Sequence, residues 1–327
     1  MKPLTYTLVD VFTDKPFSGN QLAVFLDDTG LTTEMMQMIA RELNLSETVF
    51  VQSPSNPAND KKLRIFTPDV ELPMAGHPTL GAGYVMAHMG LLEASEGKNE
   101  WIFEEGVGDI PVTVYMENGR VLNVEMNQPM PLFGEYFEDR ALAAKLLSLS
   151  PEDVTGELPI RTVSTAVPFL FIPVRSLDAM KRINFRTDIW EKYFSQNPST
   201  KHIFAFTAET EMKDSTVHSR MFAPAMGIPE DPATGAASGP LGAYIVEHTD
   251  IAQNQQGVYR IRSEQGFEMG RPSIIDITIR KEKEYEEVKI GGCSVIMGSG
   301  ELLTQSEVIH DSVGEHSPRP HIYWQES

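Results

Sequence analysis

The chain has 327 residues, with 41% apolar and 22% charged, which is the balance of a globular protein long enough for two domains of ordinary size. Its net charge of −19 sets up a field that repels nucleic acid and anionic membrane, so neither is expected as a partner. A single cysteine, Cys293, excludes an intramolecular disulfide, and without Cys-x-x-Cys or His-Glu-x-x-His spacing no metal site is expected.

No apolar run reaches the roughly 18 residues of a membrane span, and Asp10 interrupts the N-terminal segment, so the expectation is a soluble, cytoplasmic protein. GAGYVM at 81–86 lacks the third glycine of a dinucleotide loop, and no G-x-x-x-x-G-K is present. Chemistry without a cofactor is therefore expected. If the substrate is an anion, local groups must attract it against the overall charge.

In chain order, residues 4–12 alternate and predict a strand, followed by the turn TDKPFSGN and a strand over 22–25. Met35, Met36, Ile39 and Leu43 share one face of a helix over 33–43, with Asn44 as its stop. Strands are predicted at 47–51 and 63–67. A helix then starts at His77–Pro78, where proline's missing N–H is harmless, and ends at Gly90. Strands near 101–103, 109–115 and 121–126 complete the first half. The second half repeats this order: a strand within 165–174, a helical stretch over 176–196, strands at 202–206 and 220–224, and a helix. Strands near 258–264, 274–280, 286–290 and 293–297 follow. Pro240 would cost about 3 kcal/mol inside a helix, which predicts a helix start at 236–239.

The repeat is most evident in two turns. RIFTP at 64–68 leads into ELPMAGHPTLGAGYV, and RMFAP at 220–224 leads into GIPEDPATGAASGPLGAYIV. Each runs from a strand through a Gly- and Pro-rich turn into a helix start, with His77 in one copy and Asp231 in the other. The free N–H groups and positive dipole of two facing helix starts would hold a carboxylate with no Arg or Lys. Gly76–His77 and Gly235–Ala236 supply those donors, and glycine allows a ligand close to the backbone. Two α+β domains related by a pseudo-twofold axis follow, 1–128 and 129–303, with a cleft between them and a polar tail over 304–327. The last strand of the second half is a candidate to cross back to the first.

DVFTDKPFSGNQLAVF, IARELNLSETVFV, RIFTPDVELPMAGHPTLG, EDPATGAASGPLGAY and QGFEMGRPS together resemble the PhzF-like family, named for the phenazine biosynthesis isomerase, over about residues 4–302. The resemblance implies the α+β diaminopimelate-epimerase-like fold, two pseudo-symmetric halves each with a sheet wrapped around a central helix, and a homodimer. It places the family's catalytic glutamate on Glu47, its histidine on His77 and its aspartate on Asp231. Asn20, Gly76, Gly235 and Ala236 are candidate substrate contacts. The cysteines of the related proline racemases fall on Ala75 and Ala233, so two-thiol chemistry is excluded, and the serine of the phenazine enzyme falls on Ala236.

Glu47 precedes Thr48, Val49 and Phe50, apolar company that raises a carboxyl into the range of an acid–base catalyst. Its counterpart in the second half lies near Lys201–His202, so the carboxyl is not part of the repeat. Gly270–Arg271–Pro272 reads as structural. The expected function is a cofactor-independent isomerase that shuttles a proton on a small amino or hydroxy carboxylic acid in the interdomain cleft. The alternative is a dimeric carboxylate-binding protein without catalysis, which would not require Glu47.

Overall fold

The computed structural model describes residues 2–26 and 30–304. The first half contains β1 (Lys2–Val11), β2 (Asn20–Phe25), α1 (Thr33–Leu43), β3 (Glu47–Gln52), β4 (Lys61–Phe66), β5 (Glu71–Leu72) and α2 (Gly76–His88), then β6 (Gly97–Glu105), β7 (Gly108–Glu117) and β8 (Arg120–Asn127). The second begins with β9 (Leu132–Tyr136), α3 (Arg140–Leu146), β10 (Arg161–Ser164), β11 (Pro168–Pro173), α4 (Leu177–Arg182) and α5 (Thr187–Tyr193). It continues through β12 (Ile203–Thr207), β13 (Val217–Ala223), β14 (Ile228–Asp231), α6 (Gly235–His248) and β15 (Gln253–Gln255). It closes with β16 (Val258–Gln265), β17 (Ser273–Lys281), β18 (Tyr285–Gly292) and β19 (Ser294–Thr304). The tail expected over 304–327 lies, beyond Thr304, outside the described residues.

The repeat is visible in the strand pairing. β2 runs parallel to β3, β3 is antiparallel to β4, and β4 pairs with both β5 and β6. In the same order β11 runs parallel to β12, β12 is antiparallel to β13, and β13 pairs with β14 and β16. The halves then exchange strands. β19 returns to pair with β1, and β8 lies against β18, while β9 pairs with β10 inside the second half.

Each half encloses one central helix. Almost every residue of α2 up to Ala87, and of α6 up to Ile245, is buried. Such a helix has no solvent face, so its sequence is apolar and small all round rather than amphipathic. The two helices belong to one continuous apolar core that includes Val9, Leu80, Val124, Phe171, Leu241 and Ile277. α1, in contrast, is a surface helix. The Thr32 hydroxyl accepts from Met35 N–H, Met36 and Ile39 face Phe25, Phe50 and Phe66, and Asn44 stops the helix in the left-handed conformation.

Two expectations need correction. The helical stretch over 176–196 is two short helices, α4 and α5, because the N–H groups of Asn184 and Arg186 bond the carbonyls of Leu147 and Leu146 instead of continuing a helix. Helix α6 starts at Gly235, so Pro240 lies inside it. Burial of the segment GAASG among Gln128, Val288 and the facing helix outweighs the proline cost, since a Cβ on Gly239 would sit 2.9 Å from Val288 Cγ1.

Candidate active site

Four elements converge on one point. Glu47 is the first residue of β3 and Asn20 the first of β2, so the parallel pair brings both to the same sheet end. His77 is the second residue of α2, and Asp231 is the last of β14, just ahead of α6. Glu47, His77 and Asp231 line a single cavity together with Ala75, Gly76, Ala233, Gly235 and Ala236. Its remaining walls are apolar, among them Leu72, Met74, Phe169, Met221, Met226 and Ile228. No Lys or Arg lines it.

The glycines of the two helix starts serve a purpose the sequence did not reveal. A Cβ on Gly76 would lie 2.6 Å from Gly235 Cα, and one on Gly235 would lie 2.7 Å from Gly76 Cα. The space beside each glycine is thus taken by the other helix. Glycine here permits backbone-to-backbone contact between two helix N-termini, whose first residues line the cavity together. Gln128 ties this junction by donating from Nε2 to Gly235 O (3.0 Å) while accepting from Thr165 (3.0 Å).

The carboxyls of Glu47 and Asp231 sit in different environments. Glu47 is 8% exposed, and its Oε2 lies 3.3 Å from His77 Nε2. The two atoms form no hydrogen bond with each other or with any other group. Burial, reinforced by the nearby charge of Asp231, pushes Glu47 well above the usual carboxylate range. Burial also lowers His77 to about 3, with partial relief from a hydrogen bond to the Gln21 backbone, so its imidazole is neutral.

Asp231, equally buried, accepts from Thr234 Oγ1 (2.6 Å) and Asn20 Nδ2 (2.8 Å), with Ser46 Oγ at 3.5 Å. Burial raises it to about 6 while these bonds pull it down. Burial thus disfavours the charged form at both carboxyls, and at Asp231 hydrogen bonds oppose it; two buried carboxyls in such different settings suit acid–base work.

The sequence offered Asn20 as a substrate contact and Arg271 as structural, and it missed Gln265. Asn20, expected to touch substrate, commits both amide N–H groups to Asp231 Oδ1 and Ala233 O (2.9 Å), and so aims the aspartate. Gln265 donates to Asp231 O (2.7 Å) and Thr234 Oγ1 (2.9 Å) and accepts from Thr234 N–H (3.2 Å). Arg271 grips the turn before Asn20 through Ser18 O (2.6 Å), Gly19 O (2.8 Å) and Asp10 (2.7 Å). Gln265 and Arg271 both belong to the segment QGFEMGRPS, the signal that could have found Gln265. Nearby, His218 is clasped by Glu264 (2.8 Å) and Glu268 (3.0 Å), whose bonds raise it to about 9 against desolvation. It is a buried charged group that does not line the cavity. Cys293 lies between β18 and β19, donates to Leu122 O (3.3 Å) and does not line the cavity.

The family model described as phenazine biosynthesis-like protein matches residues 9–300. The chain belongs to that family. It is 36% identical to an uncharacterized isomerase of Clostridium acetobutylicum over 298 residues, 90% of this chain and 96% of the relative. It is 33% identical to the trans-2,3-dihydro-3-hydroxyanthranilate isomerase of Pseudomonas chlororaphis over 299 residues, 91% of this chain and 99% of the relative. The crystal structure of the Bacillus anthracis phenazine biosynthesis protein of the PhzF family superposes with a TM-score of 0.84 at 30% identity, covering 93% of this chain and all of that one. This family member is thus an isomerase with the diaminopimelate-epimerase-like fold. No helix among its described residues is long and apolar enough to cross a membrane.

Proposed function

We propose that this PhzF-like protein is a cofactor-independent isomerase in which Glu47 shuttles a proton on a small amino or hydroxy carboxylic acid. The carrying observation is that Glu47 Oε2 and His77 Nε2, both buried and without hydrogen bonds, face one cavity beside two helix N-termini. Glu47 takes a proton from one carbon of the substrate while the C–H electron pair enters the conjugated system. It returns the proton at another carbon, so no oxidant or co-reactant is consumed. His77 and Asp231 hold and polarise the substrate's hydroxyl or amino group, and the two helix starts hold its carboxylate.

The cavity measures only about 30 Å³, room for one or two waters. A substituted ring must therefore displace Met74, Met221 and Met226 or part the two halves on entry. These flexible, polarizable side chains suit that movement. Surface hollows of greater volume, such as the one around Arg260 and Arg262, share no lining residue with the site.

The test is proton exchange in heavy water with a panel of small carboxylic acids, trans-2,3-dihydro-3-hydroxyanthranilate among them. Wild type should place deuterium on a substrate carbon. Glu47→Gln should bind the same ligand and lose about 10²–10⁴-fold of the rate. A mutant within a few-fold of wild type moves the chemistry elsewhere. Tight binding with no exchange in wild type supports the carboxylate-binding protein instead.

A further inference from the structure

Glu105, the last residue of β6, is a buried carboxyl that does not line the cavity. The turn after it is built against the segment leading into α2. Val107 N–H donates to Pro73 O (3.1 Å), and a Cβ on Gly106 would lie 2.8 Å from Pro73 Cα. This seats the Glu105 carboxyl against the first turn of α2. Its Oε1 lies 2.5 Å from Thr79 Oγ1, which lies 2.7 Å from the carbonyl of Ala75, the residue that caps the helix. Ala75, Gly76 and His77 all line the cavity.

Counting protons fixes the state of this chain. The Thr79 hydroxyl has one proton, the Ala75 carbonyl can only accept, and an ionised carboxylate can only accept. One proton cannot serve two acceptors at these distances, so the second must come from the carboxyl. A neutral Glu105 completes the relay, with Oε1–H donating to Thr79 Oγ1 and Thr79 O–H donating to Ala75 O. Its Oε2 makes no hydrogen bond, although the Ala75 amide lies close enough to favour the anion slightly. A buried carboxylate with one unpaired oxygen would be costly.

Burial pushes Glu105 up to about 8 against the lowering effects of Thr79 and Ala75. The charged neighbours are engaged elsewhere. Glu104 binds the 55–56 amides and Asn59, Asp109 binds Asn59, and Lys62 binds Ser55. Glu71 binds Arg64 and His77 faces Glu47. Lys61 sits opposite Phe103 in the β4–β6 ladder, two residues from Glu105 along β6.

We propose that Glu105 is held as a neutral carboxylic acid and is the positioning residue for the anion-binding first turn of α2, so that its ionisation weakens carboxylate binding in the cleft. The binding half of this proposal rests on the carboxylate-cleft reading above, whereas the protonation half does not. An ionised Glu105 would compete with the ligand for the same positive helix end.

Two measurements on the whole chain test it. Difference infrared spectra of wild type against Glu105→Gln at neutral pH should show loss of a protonated-carboxyl band. Loss of carboxylate bands instead overturns the protonation. Calorimetric binding of 2-aminobenzoate, followed across the region around about 8, should weaken roughly ten-fold on the alkaline side in wild type. In Glu105→Gln, whose amide can still donate to Thr79, that component should vanish. Thr79→Val, which removes the relay but no charge, should displace the wild-type midpoint, and it replaces the glutamine variant if that one misfolds. Identical pH profiles in wild type and the variants overturn the positioning role while leaving the cleft intact. Absence of 2-aminobenzoate binding at every pH overturns the binding half together with the cleft reading, and the infrared result still decides the protonation.

Discussion

Adding one methyl group to Gly76 should reverse the usual sign of a glycine-to-alanine change. Inside helices this substitution ordinarily stabilises by about 1 kcal/mol. Here the new Cβ would lie 2.6 Å from Gly235 Cα, 2.8 Å from the Gly235 carbonyl carbon and 2.9 Å from Ile290 Cδ1. The isoleucine can turn away, but backbone cannot. Carbon–carbon contacts are comfortable at about 3.5–4 Å, so the two helix starts must separate by roughly 1 Å. Overpacking of that kind costs about 1–3 kcal/mol, a sizeable part of a total stability of about 5–15 kcal/mol. Urea unfolding of Gly76→Ala and Gly235→Ala should show losses in that range, with carboxylate affinity falling because the donors of α2 and α6 no longer share one wall. The double variant should depart from additivity by at least about 0.5 kcal/mol, since both methyls act through one separation. Gly83→Ala is the control, because its Cβ would meet only side-chain atoms, the nearest at 3.3 Å. Single variants as stable as wild type, with unchanged binding, would refute the contact between the helix starts.

Asp231, raised to about 6 by burial, should give activity an acid limb that rises through that pH as the carboxylate forms. Asp231→Asn should remove the limb along with most of the rate, and an unchanged limb assigns it to another group. Because the folded state binds this proton more tightly than the unfolded chain, its contribution to stability is full below about 4 and is lost as pH rises through about 6. Denaturation midpoints of wild type and Asp231→Asn across that window check the sign. Arg271→Lys cannot reproduce the contacts with Ser18, Gly19 and Asp10, so it should cost about 1.5–3 kcal/mol and lower kcat more than it raises KM, through a loosened Asn20. A stable variant with wild-type kcat would show that the turn before Asn20 holds without it. Ala236→Ser should shift preference among carboxylate ligands rather than create binding, because backbone donors already face that wall, and ligand binding seen only in the serine variant would refute the backbone cradle.

Local pattern carried much of this protein in its sequence. Helix α1 and its Asn44 stop were legible because a surface helix displays its apolar face and its cap. The doubled strand–turn–helix start was legible because both copies place an Arg-x-Phe-x-Pro strand before a glycine-rich turn, and it brought His77 and Asp231 into view. Glu47 stood out against its apolar neighbours. Only tertiary structure could decide the rest. Pro240 sits inside α6 because burial on all sides outweighs a local preference, and 176–196 breaks in two because Asn184 and Arg186 find acceptors on a distant segment. Gly76 and Gly235 lie far apart in the chain, and nothing local to either shows that each occupies the space a side chain would need at the other. Gln265 and Glu105 are ordinary polar residues in sequence, and Asn20 shows there only as a candidate contact in a Gly-Asn turn. Their roles depend on which buried atom each faces, and long-range packing sets that distance.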